Sequence, residues 1–332
     1  MALTQPVEDP AYTVTYGGTA IGAEISDLVT SLVYTDVEHG ESDTLELTCE
    51  DRDHRWKRAW FPELAAQLTA TLGYADGRLL NCGAFELDEI AWDGAPDTVR
   101  IKALATVITP TLRTNQSVGY DDTSLVEIVE TVAQRNGLTA RHDIDPAISL
   151  DRVTQNHERD LPFLCRLAED YNYAFAVRGS FLDFWSIPGL EARGPVLALD
   201  RRDLKSFSLA LKSQDTDQEG TVDYQDPDKK QAVRGKDERQ AAPGDSHRLL
   251  KRARSPELAE RQAKAHLHRK DKRQLAGSLT IVGEVRLVAG INLQLTGLYQ
   301  LDGKYHVERS THRLARGGGY ESEAQLYRVD PA

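Results

Sequence analysis

Three cysteines, nine histidines and fifty-two acids are the side chains of this 332-residue chain with the most obvious chemistry. Cys49, Cys82 and Cys165 are far apart in sequence, so they give neither a disulfide framework nor zinc-knuckle spacing. Each reads as a small core residue rather than a ligand or nucleophile. His266 and His268 fall two apart on a predicted helix, where side chains point to different faces. No third ligand is near them, and no His-Glu-x-x-His run occurs. Carboxylate pairs such as Asp51/Asp53 and Asp121/Asp122 are of the kind a glycosidase sets across a cleft. Among so many acids, chance produces such spacings. Gly317-Gly318-Gly319 is not followed by a helix whose N-terminus would hold phosphate, and it reads as a hairpin connection. There is no Gly-x-Ser-x-Gly elbow. The residues single out no catalytic, cofactor-binding or metal-binding position, no cofactor and no enzyme.

At roughly 150 residues per domain, the length predicts two to four cores. Hydrophobic residues at 40% and charged residues at 28% describe a globular chain. No apolar run approaches the ~20 residues of a membrane helix. Met1 to Pro6 lacks the basic and apolar regions of a signal peptide, so the expected starting compartment is the cytoplasm. The net charge of -12 argues against general nucleic-acid binding, which exchanges basic side chains for counterions. The charge is uneven: Lys229 to Arg273 holds 15 Lys+Arg against 6 Asp+Glu, and the remainder holds 25 against 46. That basic segment reads as a solvated helix face, or as an element that docks on an acidic surface such as that of a neighbouring copy or that touches nucleic acid. It lacks the aromatics that would stack bases.

The elements that must position these groups are mostly strands at first. Tyr12 to Tyr16, Leu45 to Cys49, Phe85 to Ile90 and Thr98 to Leu104 alternate, with Gly17-Gly18 and Asp76-Gly77 as turns. Residues 1–110 therefore form a first β-barrel-like domain, closed at Pro110, with a loop or short helix at Trp56 to Trp60. Residues 111–200 read as an α+β insertion. Ser124 starts a helix carrying Leu125, Ile128, Val129, Val132 and Ala133, ended by Asn136-Gly137. A second helix runs from about Asp160 to Asp170, with Pro162 in its first turn, and a hairpin follows from Ala174 to Trp185. Residues 201–332 read as a second β-barrel-like domain. It contains a polar loop from Ser213 to Ser246 and a basic helix from Ser255-Pro256 to about Lys272. Strands then return at Ser278 to Leu287, Ile291 to Leu295, Tyr305 to Arg309 and Tyr320 to Val329. The fold class is β-rich α+β.

Three stretches together resemble one family. The first is Thr123-Ser124-Leu125-Val126-Glu127-Ile128-Val129 with Asn136-Gly137-Leu138. The second runs from Gln155-Asn156-His157-Glu158-Arg159-Asp160-Leu161-Pro162 to Asp170. The third comprises Asp302-Gly303-Lys304-Tyr305-His306-Val307, Ser310-Thr311-His312 and Gly319-Tyr320. In this order, over about residues 12–329, the chain resembles the late control protein D family of tailed phages. These are baseplate hub proteins related to the N-terminal hub region of VgrG. The resemblance implies two tube domains flanking an insertion, assembled as a homotrimer that matches a hexameric tail tube. It implies tail tube, central spike, tape-measure and baseplate proteins as partners, transient passage of DNA through the channel, and no stable membrane association. The implied location is the virion tail, after assembly in the host cytoplasm. A VgrG continues into an OB-fold and a β-helical spike, whereas this chain ends at Ala332. The expectation is a hub alone, with the spike on another polypeptide. A wall-degrading enzyme of the tail tip and a type VI spike-hub component are the alternatives.

Overall fold

The computed structural model describes residues 9–105, 114–212, 217–226, 231–238, 245–249, 256–272 and 274–329. Met1 to Pro6, the boundary at Pro110, the helix start at Ser255 and the end at Ala332 lie outside the described residues.

The first β unit runs through β1 (Pro10–Tyr16), β2 (Thr19–Ala20), a short helix α1 (Ala23–Ser26), β3 (Val29–Val37), β4 (Thr44–Glu50), β5 (Gln67–Tyr74), β6 (Leu79–Asp93) and β7 (Thr98–Leu104). Alternation fixes the faces: Leu45, Leu47 and Cys49 are buried while Glu46 and Thr48 point out. Gly17 and Gly18, at φ 57° and 80°, make the turn between β1 and β2. The long strand β6 shifts register against both β5 and β7. Those bulges bend it, so one strand serves two neighbours and curls the sheet around Leu32, Leu72, Phe85 and Val99.

The insertion unit contains β8 (Gln116–Ser124), α2 (Leu125–Arg135), β9 (Thr139–His142), β10 (Ser149–Glu158), α3 (Asp160–Tyr171), β11 (Tyr173–Arg178), β12 (Phe181–Ser186) and α4 (Ile187–Ala192). A capping box opens α2. Ser124 Oγ accepts from Glu127 N at 3.2 Å, and Glu127 Oε2 accepts from Ser124 N at 3.0 Å. Leu125, Ile128, Val129, Val132 and Ala133 are all buried, meeting Phe163, Leu164, Phe175 and Phe184. The fully buried Asp160 carboxylate ties the end of α2 to the start of α3. Arg135 pairs with both of its oxygens, Asn136 Nδ2 donates at 2.7 Å and Gln155 Nε2 at 2.8 Å. A buried charge with this many donors keeps its solvation inside the protein.

The second β unit begins with β13 (Leu197–Asp200) and β14 (Leu204–Leu211). It then passes through β15 (Asp217–Asp226), β16 (Gln231–Glu238), β17 (Asp245–Leu249) and α5 (Pro256–Asp271). It ends with β18 (Leu275–Val282), β19 (Asn292–Thr296), β20 (Gly303–Ala315) and β21 (Gly319–Arg328). Its core gathers Leu279, Leu293, Tyr305, Val307, Ala324 and Leu326. Two expectations change here. The polar segment expected as a loop carries three strands in the order β16-β15-β17. Backbone pairing needs no apolar side chain, so Asp-, Gln- and Gly-rich strands leave no period to read. The strand expected to reach Leu287 ends at Val282, and Leu287 N turns back to Glu284 O at 3.0 Å.

The two β units share one sheet. Thirteen strands belong to it: eleven in the order β14-β18-β21-β20-β3-β4-β7-β6-β5-β1-β2, with β19 pairing β20 off this path and β13 pairing β19. The join is β3 with β20, antiparallel from Ser31↔Ala315 to Val37↔Arg309. Across it runs a row of opposed residues: Glu321, Arg313, Val33, Glu46, Lys102 and Glu89. Opposite charges face one another on either side of Val33, which supports this register.

Candidate functional site

The residues with chemical potential are scattered. Cys49 and Cys82 are buried in the first core, and burial pushes both thiols up to about 12. They are core residues, inert as nucleophiles. Cys165 is half-buried on α3, with Sγ 3.7 Å from His39 Nε2 and 4.0 Å from Glu169 Oε1. These three donors lie close enough to surround a metal ion. The histidine works against it. His39 Nδ1 accepts the Phe175 N–H at 3.1 Å, so in the neutral ring Nε2 carries the proton and has no lone pair to give. Asp51, His54 and Asp97 form a second such group. There the Lys57 ammonium already stands 2.7 Å from Asp97 Oδ2 and 3.5 Å from Asp51 Oδ2. Asp53 points away toward Arg55 at 3.8 Å, and Asp121 lies 3.5 Å from Arg152. His268 Nε2 is 2.8 Å from Glu191, while His266 lines a separate polar cavity with His39 and Glu169. Gly317 and Gly319, at φ 75° and 77°, join β20 to β21 as a hairpin.

The basic helix docks on its own chain. Ala259, Ala263 and Leu267 are buried. Arg261 reaches Asp145 at 2.8 Å, Arg269 reaches Glu169 at 3.6 Å and Lys272 reaches Glu308 at 3.8 Å. In the described part of the basic segment, the helix thus packs by its buried stripe on its own chain, and its basic side chains meet acids of that chain. Glu191 receives His268 and the Tyr327 hydroxyl. Burial alone would push its carboxyl up, but these hydrogen bonds hold it below the ordinary range.

What the fold offers outward is edges. At one end of the long sheet, β14 pairs among the described residues only with β18, and none of them covers its other side. Phe207 and Leu211 on it are 36% and 72% exposed. At the other end, β1 is covered among the described residues by β2 at Thr15 and Tyr16 and by Ile21 N–H on Val14 O at 3.0 Å. Natural edges are commonly blunted by proline, charge or shortness. The eight-residue β14 has no proline and one lysine, which is engaged with Glu321 at 2.8 Å. Near the β1 end, an apolar cavity of about 440 Å³ opens between Tyr16, Ile21, Trp56, Trp60, Phe61 and Leu68.

This architecture, an insertion set between two β units that share a sheet, is the fold of solved phage tail proteins and of a type VI secretion component. The 43 kDa tail protein of prophage MuSo2 from Shewanella oneidensis superimposes with a TM-score of 0.72 at 12% identity, over 96% of this chain and 98% of that one. A tail protein from Neisseria meningitidis MC58 gives 0.72 at 11% identity, over 96% and 97%. The E. coli c3393 protein, a type VI secretion component, gives 0.61 at 14% identity, over 96% and 79%. In sequence, the chain is related to probable baseplate hub proteins. It is 33% identical to that of Escherichia phage 186 over 207 residues, 61% of this chain and 52% of the relative. It is 31% identical to that of Escherichia phage P2 over 209 residues, 61% and 53%. The chain spans about half the length of these curated relatives. No protein-family model matches it. The resemblance to baseplate hub proteins is thus borne out by relatives in sequence, while the solved tail proteins share the fold.

Proposed function

We propose that the protein is the structural hub of a phage or phage-derived contractile tail: a homotrimeric adaptor joining the hexameric tail tube to a central spike, located in the virion baseplate. The observation that carries this reading is the join of the two β units edge to edge through β3 and β20, with β14 and much of β1 left as open edges among the described residues. Two such units per chain give six around a threefold axis. Head-to-tail contact between the two different open edges is heterologous, and a heterologous contact that closes makes a ring. The ring leaves a channel for transient passage of DNA. Tape-measure and baseplate proteins are the further partners, and assembly takes place in the host cytoplasm. The role is structural rather than enzymatic. The buried carboxylates Asp160 and Asp183 face arginines of the same chain, so they serve the fold.

The test is the solution mass by light scattering of the purified chain, alone and with the spike and tube proteins encoded beside it. A trimer, or a monomer driven to a 3:3 complex by the spike, supports the hub. A monomer indifferent to both proteins overturns it and favours the tail-tip enzyme or the type VI reading.

A further inference from the structure

The turn between β3 and β4, residues 38–43, is where the insertion unit is fastened to the β units. Gly40 N donates to Phe175 O at 3.0 Å, and Phe175 N donates to His39 Nδ1 at 3.1 Å. The turn thus lies along the outer side of β11, the edge strand of its sheet. The apolar clusters of the first β unit and of the insertion share no residue, so much of the fastening is polar.

Behind the turn, Arg178 of β11 sits among three buried carboxylates. It is 2.9 Å from Asp36, 3.6 Å from Asp43 and 3.7 Å from Asp183. Asp183 is also held by Arg141 through two bonds of 2.7 Å, and Asp36 accepts Ala289 N at 2.8 Å. Three carboxylates facing two guanidinium groups reach neutrality only with one added proton. Asp43 has the poorest cation contact and has Asp36 beside it, so the proton goes there. Burial and Asp36 push its carboxyl up to about 7. Tyr34 of β3 and Cys82 of β6 also face this cluster, and burial pushes both up, well away from the neutral range. His39 has the opposite requirement. Its Nδ1 must stay bare to accept Phe175 N–H. Burial holds the ring below the usual histidine value, opposed by Glu169 and Glu38 and reinforced by Lys272 and Arg269.

We propose that the 38–43 turn is a proton-set latch on the insertion unit: a proton on Asp43 closes it, and a proton on His39 opens it. The signs follow from linkage. A carboxyl raised in the closed state strengthens the latch most in acid, and that strength is lost as pH rises to about 7. An imidazole lowered in the closed state gives its full support above the ordinary histidine value, and that support is lost as pH falls.

The test is hydrogen exchange at the Gly40 and Phe175 amides of the full chain between about pH 5 and pH 7.5, corrected for intrinsic rates. In His39→Gln, whose side-chain oxygen can accept the same N–H, protection falls at least about tenfold across this range. In Asp43→Asn it rises. Flat profiles, or the same slope in both variants, overturn the latch. A carboxyl NMR titration of wild-type Asp43 needs no variant: a midpoint near neutrality supports the proposal, and an ordinary aspartate midpoint overturns it.

Discussion

His306 Nε2 lies 2.6 Å from Glu38 Oε1, with His306 fully buried and Glu38 almost so. The other ring nitrogen is 2.7 Å from Asn292 Oδ1. Asn292 Nδ2 donates to the carbonyls of Leu190, Glu191 and Arg193, at 2.8 to 3.1 Å. Its oxygen is therefore the acceptor and His306 Nδ1 the donor. One chain of bonds runs from the first β unit, through the second, to α4 of the insertion.

Removing either end of the buried pair strands the other. His306→Ala and Glu38→Ala should each cost about 3–5 kcal/mol of unfolding free energy in urea melts of the purified chain. A loss below about 1 kcal/mol would show that the pair does not hold the junction.

His312 sets an acid limit. Its Nε2 lies 2.9 Å from the Leu287 carbonyl and its Nδ1 2.7 Å from the Tyr320 hydroxyl, so the neutral ring is fully used. Burial pushes it down to about 4. The folded state thus binds fewer protons than the unfolded one. Its contribution is complete above about pH 6.5 and falls by about 3 kcal/mol as pH drops to about 4. In His312→Gln the acid loss should shrink; an unchanged slope in denaturation from pH 7 to 4.5 would refute this.

Ser124→Ala removes one half of the α2 capping box and should lower stability by about 1 kcal/mol. Thermal melts read it directly. A neutral result would mean that packing alone sets the start of α2.

A Cβ at Gly283 would lie 2.0 Å from the Tyr320 ring, while Tyr74 Oη donates to Gly283 O at 2.7 Å. Gly283→Ala should cost about 1–3 kcal/mol through overpacking. It should also disturb the Tyr74–Tyr320 contact, visible in near-ultraviolet circular dichroism. An unchanged spectrum and melting point would count against that contact.

Phe207→Glu with Leu211→Glu charges the open edge β14 without touching a core. The chain should fold as before but lose self-association in light scattering. A variant that still forms the wild-type oligomer would remove β14 from the interface.

Local signals in the residues settled much of this protein. The capped α2 helix, its buried stripe and the alternation of β4 are short-range consequences of side-chain period, and they lie where the spacing puts them. The resemblance to hub proteins is likewise carried by ordered stretches of residues. What lay beyond the sequence is long-range or lacks a period. β15 to β17 are polar strands with no apolar face to announce them. The β3–β20 join pairs residues more than 270 positions apart, and the Asp36–Arg178 and Glu38–His306 contacts span 142 and 268 positions. In the sequence Cys165 reads as a small core residue and His39 carries no reading at all; they meet only because α3 lies against the turn after β3. Spacing along a chain reports only neighbours within a few residues; which buried charge meets which counter-charge is decided when the sheets close, because only then does water leave and the pairing become obligatory.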